Sequence, residues 1–187
     1  MIRGRETGYR WWLAGGLLCL ATTTAWASSG VVINQKGEPL AGVRVCYSLS
    51  GSDGLCASSN KKGEWELPRS GVDRIQLTLE GYLPKKISSG DQSAPVMLEL
   101  AATLLVKLVD PSGDPIEEGE IELVYSSGRR IGPIPISRAA GTRIRSLKPG
   151  PVVVVGRSKG FGEGRAAESE LRGGEEIVAI VPLEPAG

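Results

Sequence analysis

Two tandem β-sandwiches behind an export leader are the fold this 187-residue sequence predicts. Three observations predict it. After residue 27, apolar and polar residues alternate in short runs, the period of half-buried strands, and no capped helical period appears. Glycine and proline, 26 and 12 residues, punctuate these runs at the spacing of β-sandwich turns. The turn pattern of the first half then returns in the second, roughly 76 to 80 residues later.

The leader comes first. Arg3, Arg5 and Arg10 stand against Glu6, an apolar run extends from Trp11 to Ala21, and Ala25-Trp26-Ala27 has the small-x-small form of a cleavage site. Cleavage is expected after Ala27, with residues 1–27 as a signal peptide and Ser28 as the mature start. An uncleaved anchor would place the short, Thr-bearing stretch 11–27 across a bilayer, at the lower limit of a span. Lipidation at Cys19 would need a small residue before the cysteine, and Leu18 stands there. No other membrane span is expected.

Removing 1–27 turns the formal charge from +1 to −1, with 19 Lys+Arg against 20 Asp+Glu. No basic patch remains, so nucleic acid is not an expected partner. The chain has no histidine. That excludes a Ser-His-Asp triad, a Cys-His pair and any His-liganded zinc.

The strands come next, in chain order. Residues 31–33 are apolar and lead into the turn cluster 34–39. Residues 43–49, 75–79 and 121–125 alternate with period two, 152–155 is a valine run, and 96–100 and 177–183 close the two halves. The Ala- and Glu-bearing stretch 163–172 is the one place suited to a short helical turn, although glycines flank it. Gly37-Glu-Pro-Leu40 is matched by Gly113-Asp-Pro-Ile116, Gly63 by Gly141, and Gly81-Tyr82 by Gly160-Phe161. The seam falls at Ala101-Ala102. The expected domains are therefore 28–101 and 102–187, each an antiparallel β-sandwich of about seven short strands.

Two cysteines remain in the mature chain. Cys46 and Cys56 flank a Gly- and Asp-bearing turn, and an even pair in an exported protein favours a disulfide over free thiols. Their spacing is not that of a redox Cys-x-x-Cys motif.

The first unit resembles a known family. The runs Gly30-Val-Val-Ile-Asn-Gln-Lys-Gly-Glu-Pro-Leu-Ala-Gly-Val-Arg-Val45, Ser59-Asn-Lys-Lys-Gly-Glu-Trp-Glu-Leu-Pro68 and Gly81-Tyr82 are similar to the carboxypeptidase regulatory-like domain, a transthyretin-like, Ig-like β-sandwich. The likeness covers 29–100. Ser59-Asn60 replaces the family's Thr-Asp, and the second unit, 102–187, matches more loosely. The resemblance implies an accessory module of exported bacterial proteins without catalysis of its own. The matched residues are folding signals: Pro fixes φ in the first turn, and Gly permits positive φ before the Trp65 strand.

The function these readings imply is a non-catalytic interaction or structural module of the cell envelope, periplasmic, secreted or surface-bound. Its expected partner is a protein or an envelope polysaccharide, with no cofactor and no catalytic or metal-binding residues. The alternative is a carbohydrate-binding module. Trp65, Tyr82 and Tyr125 are the only candidate platforms for it, each weighed against packing in the core. Other candidates read as structure. Asp53, Asp73, Asp91, Asp110 and Asp114 sit in turns. Glu117-Glu118 and Glu175-Glu176 are solvated runs. Asp110-Pro-Ser-Gly-Asp114 is too sparse in oxygen ligands for calcium. Lys107 occupies the place of an isopeptide lysine, but Asn34 and Asn60 are the only asparagines and neither lies in a late strand. Arg129-Arg130 and the glycine-rich loop 157–165 offer local positive charge, read as a hairpin tip without phosphate-loop spacing.

Overall fold

The computed structural model describes residues 28–47, 55–68, 74–88 and 94–187. These form fifteen strands, and no helix occurs among them; none is therefore long and apolar enough to cross a membrane. In the first half, β1 (Ser28–Ile33) lies between β4 (Glu64–Leu67) and β7 (Val96–Met97). The facing sheet runs β3 (Cys56–Ser58), β2 (Arg44–Tyr47), β5 (Arg74–Thr78), β6 (Lys85–Ser88). In the second half, β8 (Ala102–Val109) lies between β11 (Thr142–Leu147) and β15 (Glu176–Pro182). The facing sheet runs β10 (Arg130–Ile136), β9 (Gly119–Tyr125), β12 (Gly150–Arg157), β13 (Gly164–Arg165), with β14 (Ser169–Leu171) also on β12.

The same strand path is thus traced twice. β8 takes the place of β1, β9 that of β2, and so on to β15 in the place of β7; β14 is the one addition. The turns repeat with the strands. Asn34 Oδ1 accepts the N–H groups of Lys36 and Glu38 at 2.8 and 2.9 Å. Asp110 Oδ1 accepts those of Ser112 and Asp114, both at 2.9 Å. Each turn is closed by a bridge to a proline, Ile33 to Pro39 and Val109 to Pro115. Gly37 and Gly113 hold φ of 81° and 87° in these turns, where a side chain would be strained.

Alternation along the strands builds two separate cores. In β2, Val45 and Tyr47 point in while Arg44 points out; in β9, Ile121, Leu123 and Tyr125 point in. One cluster gathers Val32, Val45, Tyr47, Trp65, Leu67, Ile75 and Leu77. The other gathers Leu104, Leu108, Leu123, Val154, Leu171 and Val181. No residue belongs to both. At the seam, Ala101 donates its N–H to the Gly81 carbonyl and accepts the Gly174 N–H, both at 2.8 Å.

Two expectations are corrected. The sheets are not wholly antiparallel: β1 pairs with β7, and β8 with β15, in parallel. Side-chain period reports which face a strand buries but not its direction, and here the chain changes sheets before its last strand returns beside the first. The stretch 163–172 makes no helical turn. It runs along β12 as β13 and β14, with the Ala166 N–H on the Val154 carbonyl at 2.9 Å between them. β12 needs a partner on that side, and this requirement overrides local propensity.

Candidate functional site

Of the three aromatic candidates, Trp65 and Tyr125 are packed into the cores, and Tyr82 borders a surface depression of about 410 Å³ with Arg44, Glu80 and Pro84. Trp65 is 3% exposed. It stands directly across from Gly30 in the β1–β4 ladder, and a Cβ at Gly30 would lie 2.8 Å from its ring. The ring therefore fills the place of the missing side chain. Although Trp65 borders a surface depression of about 600 Å³ with Ser29, Asn60 and Glu64, it presents no ring face there. Tyr125 is buried in the second core and its hydroxyl donates to the Lys148 carbonyl at 3.2 Å. Burial raises its pKa above the ordinary tyrosine value, against the lowering effects of Arg129 and of that hydrogen bond. Tyr82 is half-buried against the first core, and its backbone bridges Leu100. Aromatic rings bury most area when packed, and packing wins at Trp65 and Tyr125.

Cys46 and Cys56 stand opposite each other in the β2–β3 ladder and are joined by a disulfide. Residues 48–54 of the turn between them lie outside the described residues, as do Asp53, Asp73 and Asp91. Among the described residues no group of His, Cys, Asp or Glu side chains is placed to hold a metal. Asp110 acts as a turn acceptor, and Glu117, Glu118 and Glu175 are exposed.

The two arginines of the loop 157–165 are paired within it. Glu163 bridges Arg157 at 2.6 Å and Arg165 at 3.1 Å. Hydrogen bonds from Arg157 and then Arg165 hold its carboxyl below the usual carboxylate range, and the Glu163 contact raises the Arg157 pKa in turn. The tip is also pinned to the chain end, with the Gly162 N–H on the Glu184 carbonyl at 2.8 Å. Arg130 is paired with Glu122 at 3.2 Å. Arg129 and Lys159 have no ion-pair partner among the described residues.

Among the described residues, the fold leaves one sheet edge open. An edge strand presents unpaired backbone groups, and proteins blunt it by shortness, bulges, charge or proline. Seven of the eight edges carry such a device. β3 is three residues held by the disulfide, and β7 is two. β4 exposes Glu64 and Glu66, and β6 exposes Lys85 and Lys86. β10 contains Pro133 and Pro135 and a register shift. β11 shifts register between Ile144 and Leu147, with Ser146 at φ 57°. β13 and β14 break one edge into two short pieces.

The eighth edge is β15. It is seven residues long, and between Glu176 and Pro182 it has neither charge nor proline. Thr103 donates its N–H to the Glu175 carbonyl, and Leu183 donates to Val109. In a parallel ladder these two bonds turn the odd-numbered residues toward β8. The N–H and C=O groups of Glu176, Val178 and Ile180 therefore point to the open side. Beyond Pro182 that side is covered, because Gly160 and Gly162 bond Ala186 and Glu184. The side chains of Val178 and Ile180 stand on the outer sheet face, 52% and 55% exposed, beside the outward-facing Leu105 and Lys107 of β8.

Sequence reasoning located this strand but not its exposure. The available signal was the unbroken run Ile177-Val-Ala-Ile-Val181, apolar on both faces. Such a run fits either a strand covered on both sides or one awaiting a partner.

No protein-family model and no curated protein matches the sequence. Solved structures give distant likenesses. The Bacillus anthracis TIE protein is 18% identical over 86% of this chain, with a TM-score of 0.42. This chain spans about a third, 34%, of that protein's length. A streptococcal ancillary pilin is 13% identical over 88% of this chain and 63% of its own, TM-score 0.41. A minor pilin of Streptococcus agalactiae is 12% identical over 81% and 86%, TM-score 0.38. No inference about function rests on likenesses of this size.

Proposed function

We propose that this chain is a non-catalytic interaction module of the cell envelope. In this reading residues 1–27 are a cleaved leader, and 28–101 and 102–187 are two tandem Ig-like sandwiches, the first of carboxypeptidase regulatory-like type. The twice-traced strand path, the separate cores and the repeated positive-φ glycines support two units. The disulfide suits an oxidising compartment, whether periplasm, medium or cell surface. The observation that carries the interaction role is the open β15 edge with Val178 and Ile180 exposed. Adding a strand to an unpaired edge is a general way to bind a partner, with backbone hydrogen bonds for affinity and outward side chains for selection.

The test is cross-linked capture in envelope extract with the exported chain and its Val178→Asp variant. The expected result is a set of partners lost on substitution while the melting curve is unchanged, with Ser28 as the first residue by mass spectrometry. Partners held equally by both proteins count against the β15 edge as the binding surface.

A further inference from the structure

We infer that the occupant of the β15 edge is a second copy of this chain, paired antiparallel to β15 about a two-fold axis at Val178. This rests on the reading of β15 as the interaction surface and adds the partner's identity.

The width of the open window sets the register. Only Glu176, Val178 and Ile180 have outward backbone groups on the uncovered part of β15, since the Gly160–Gly162 segment covers the edge beyond Pro182. A two-fold axis at Val178 sets Val178 opposite its own copy and Glu176 opposite Ile180 of the second chain. All of these residues point their N–H and C=O groups outward, so each opposite pair exchanges both hydrogen bonds, as narrow antiparallel pairs do. An axis at Ala179 would instead oppose Glu176 to Pro182, which has no N–H and lies where the Gly164 backbone crowds the Pro182 carbonyl.

Side chains agree with that register. Opposite residues of an antiparallel pair share a face, so the two Val178 side chains meet on the outer face, each flanked by Ile180. Glu176 of one copy then stands in the same cross-strand row as Lys107 of the other, one strand beyond Ile180. Lys107 has no ion-pair partner among the described residues. A two-strand reach is realistic, because Arg143 on β11 already reaches Glu176 across β8 at 2.7 Å. Directly opposed residues are Val178 with Val178 and Glu176 with Ile180, so no like charges face each other across the axis, and Lys107 approaches a Glu176 that Arg143 already holds.

The area sets the strength. One short edge and two apolar side chains per copy fall below the roughly 800 Å² per partner of a standard stable interface. The dimer is therefore reversible and populated at high concentration, as at a crowded surface, with a Kd of roughly 10–1,000 μM.

The experiment uses the full chain, expressed with its leader and purified after export. Sedimentation equilibrium reads association, and cysteine variants read register. Wild type is expected to dimerise with concentration. Val178→Asp places like charges at the axis and should weaken the dimer at least ~10-fold. Val178→Cys should form an intermolecular disulfide under mild oxidation, because directly opposed Cα atoms are about 5.5 Å apart. Ile180→Cys should not, its copy being four residues away along the pair. A chain monomeric to ~1 mM, two decades above the tight end of the expected range, overturns the inference, as does a dimer indifferent to Val178→Asp. Equal cross-linking by both cysteine variants overturns the register. If the chain is monomeric but Val178→Asp still abolishes capture from envelope extract, the second copy is excluded and the β15 interaction surface stands.

Discussion

β7 and β15 hold the same place in the same strand path, last in their halves and parallel to the first strand, yet their outer sides differ. β7 is two residues long, is preceded by Pro95, and has its outward Met97 carbonyl capped by Lys85 Nζ at 3.0 Å. β15 is seven residues long and, among the described residues, uncapped across Val178 and Ile180. Since the path is shared, the difference cannot come from topology. It comes from strand length and from one lysine, which shows how little sequence separates a closed edge from an open one.

The interiors differ as well. The first half carries the disulfide and packs Trp65 over Gly30, leaving the indole Nε1 without a hydrogen-bond partner among the described residues. The second half is filled mainly by aliphatic side chains, with Phe161 packed at its margin.

The largest effects should come from the cores, and they test whether the halves are independent. Leu77→Ala and Leu123→Ala each empty a fully buried site and should cost about 2–5 kcal/mol. In scanning calorimetry each substitution should lower the melting of its own half alone. A common shift in both transitions would mean that the seam at Ala101 couples them. A smaller effect distinguishes the halves by chemistry. Reducing Cys46–Cys56 should cost the first half about 2–3 kcal/mol on the loop-entropy model and leave the second half unmoved, as read by melting with and without reductant. The smallest concerns the edges. Lys85→Met uncaps the Met97 carbonyl and should change stability by under about 0.5 kcal/mol. It should not create self-association in a Val178→Asp background. If it does, the lysine rather than strand shortness is what closes β7.

Much of this arrangement is legible in the sequence. Period-two alternation at 43–47, 75–78 and 121–125 marks strands because one face must be buried and the other wetted. The repeated Gly37/Gly113, Gly63/Gly141 and Gly81/Gly160 mark turns because all six hold positive φ. The Cys46–Cys56 pair is legible from its hairpin-like spacing. Strand direction at β7 and β15 is not, because alternation is the same read either way. The strand nature of 163–172 is hidden too, since its partner β12 is what imposes it. At Trp65, composition alone leaves burial and exposure open, and the glycine across the ladder decides. The exposure of Val178 and Ile180 is a property of what lies beside β15, and no local pattern encodes an absent neighbour.

The parallel closure of each half also has a mechanical meaning. When the first and last strands of a unit run parallel, a pull on its two ends drags them past each other lengthwise. Their backbone hydrogen bonds are then strained together instead of being opened one after another. In the second half that clamp is the ladder from Glu176–Thr103 to Pro182–Val109; in the first half it is the pairing of Val32 and Ile33 with Val96 and Met97, extended by the Leu98 N–H on the Ile33 carbonyl. Ala101 joins the two without slack. Tension carried along this chain is therefore borne unequally, with the short clamp of the first half as the link that yields.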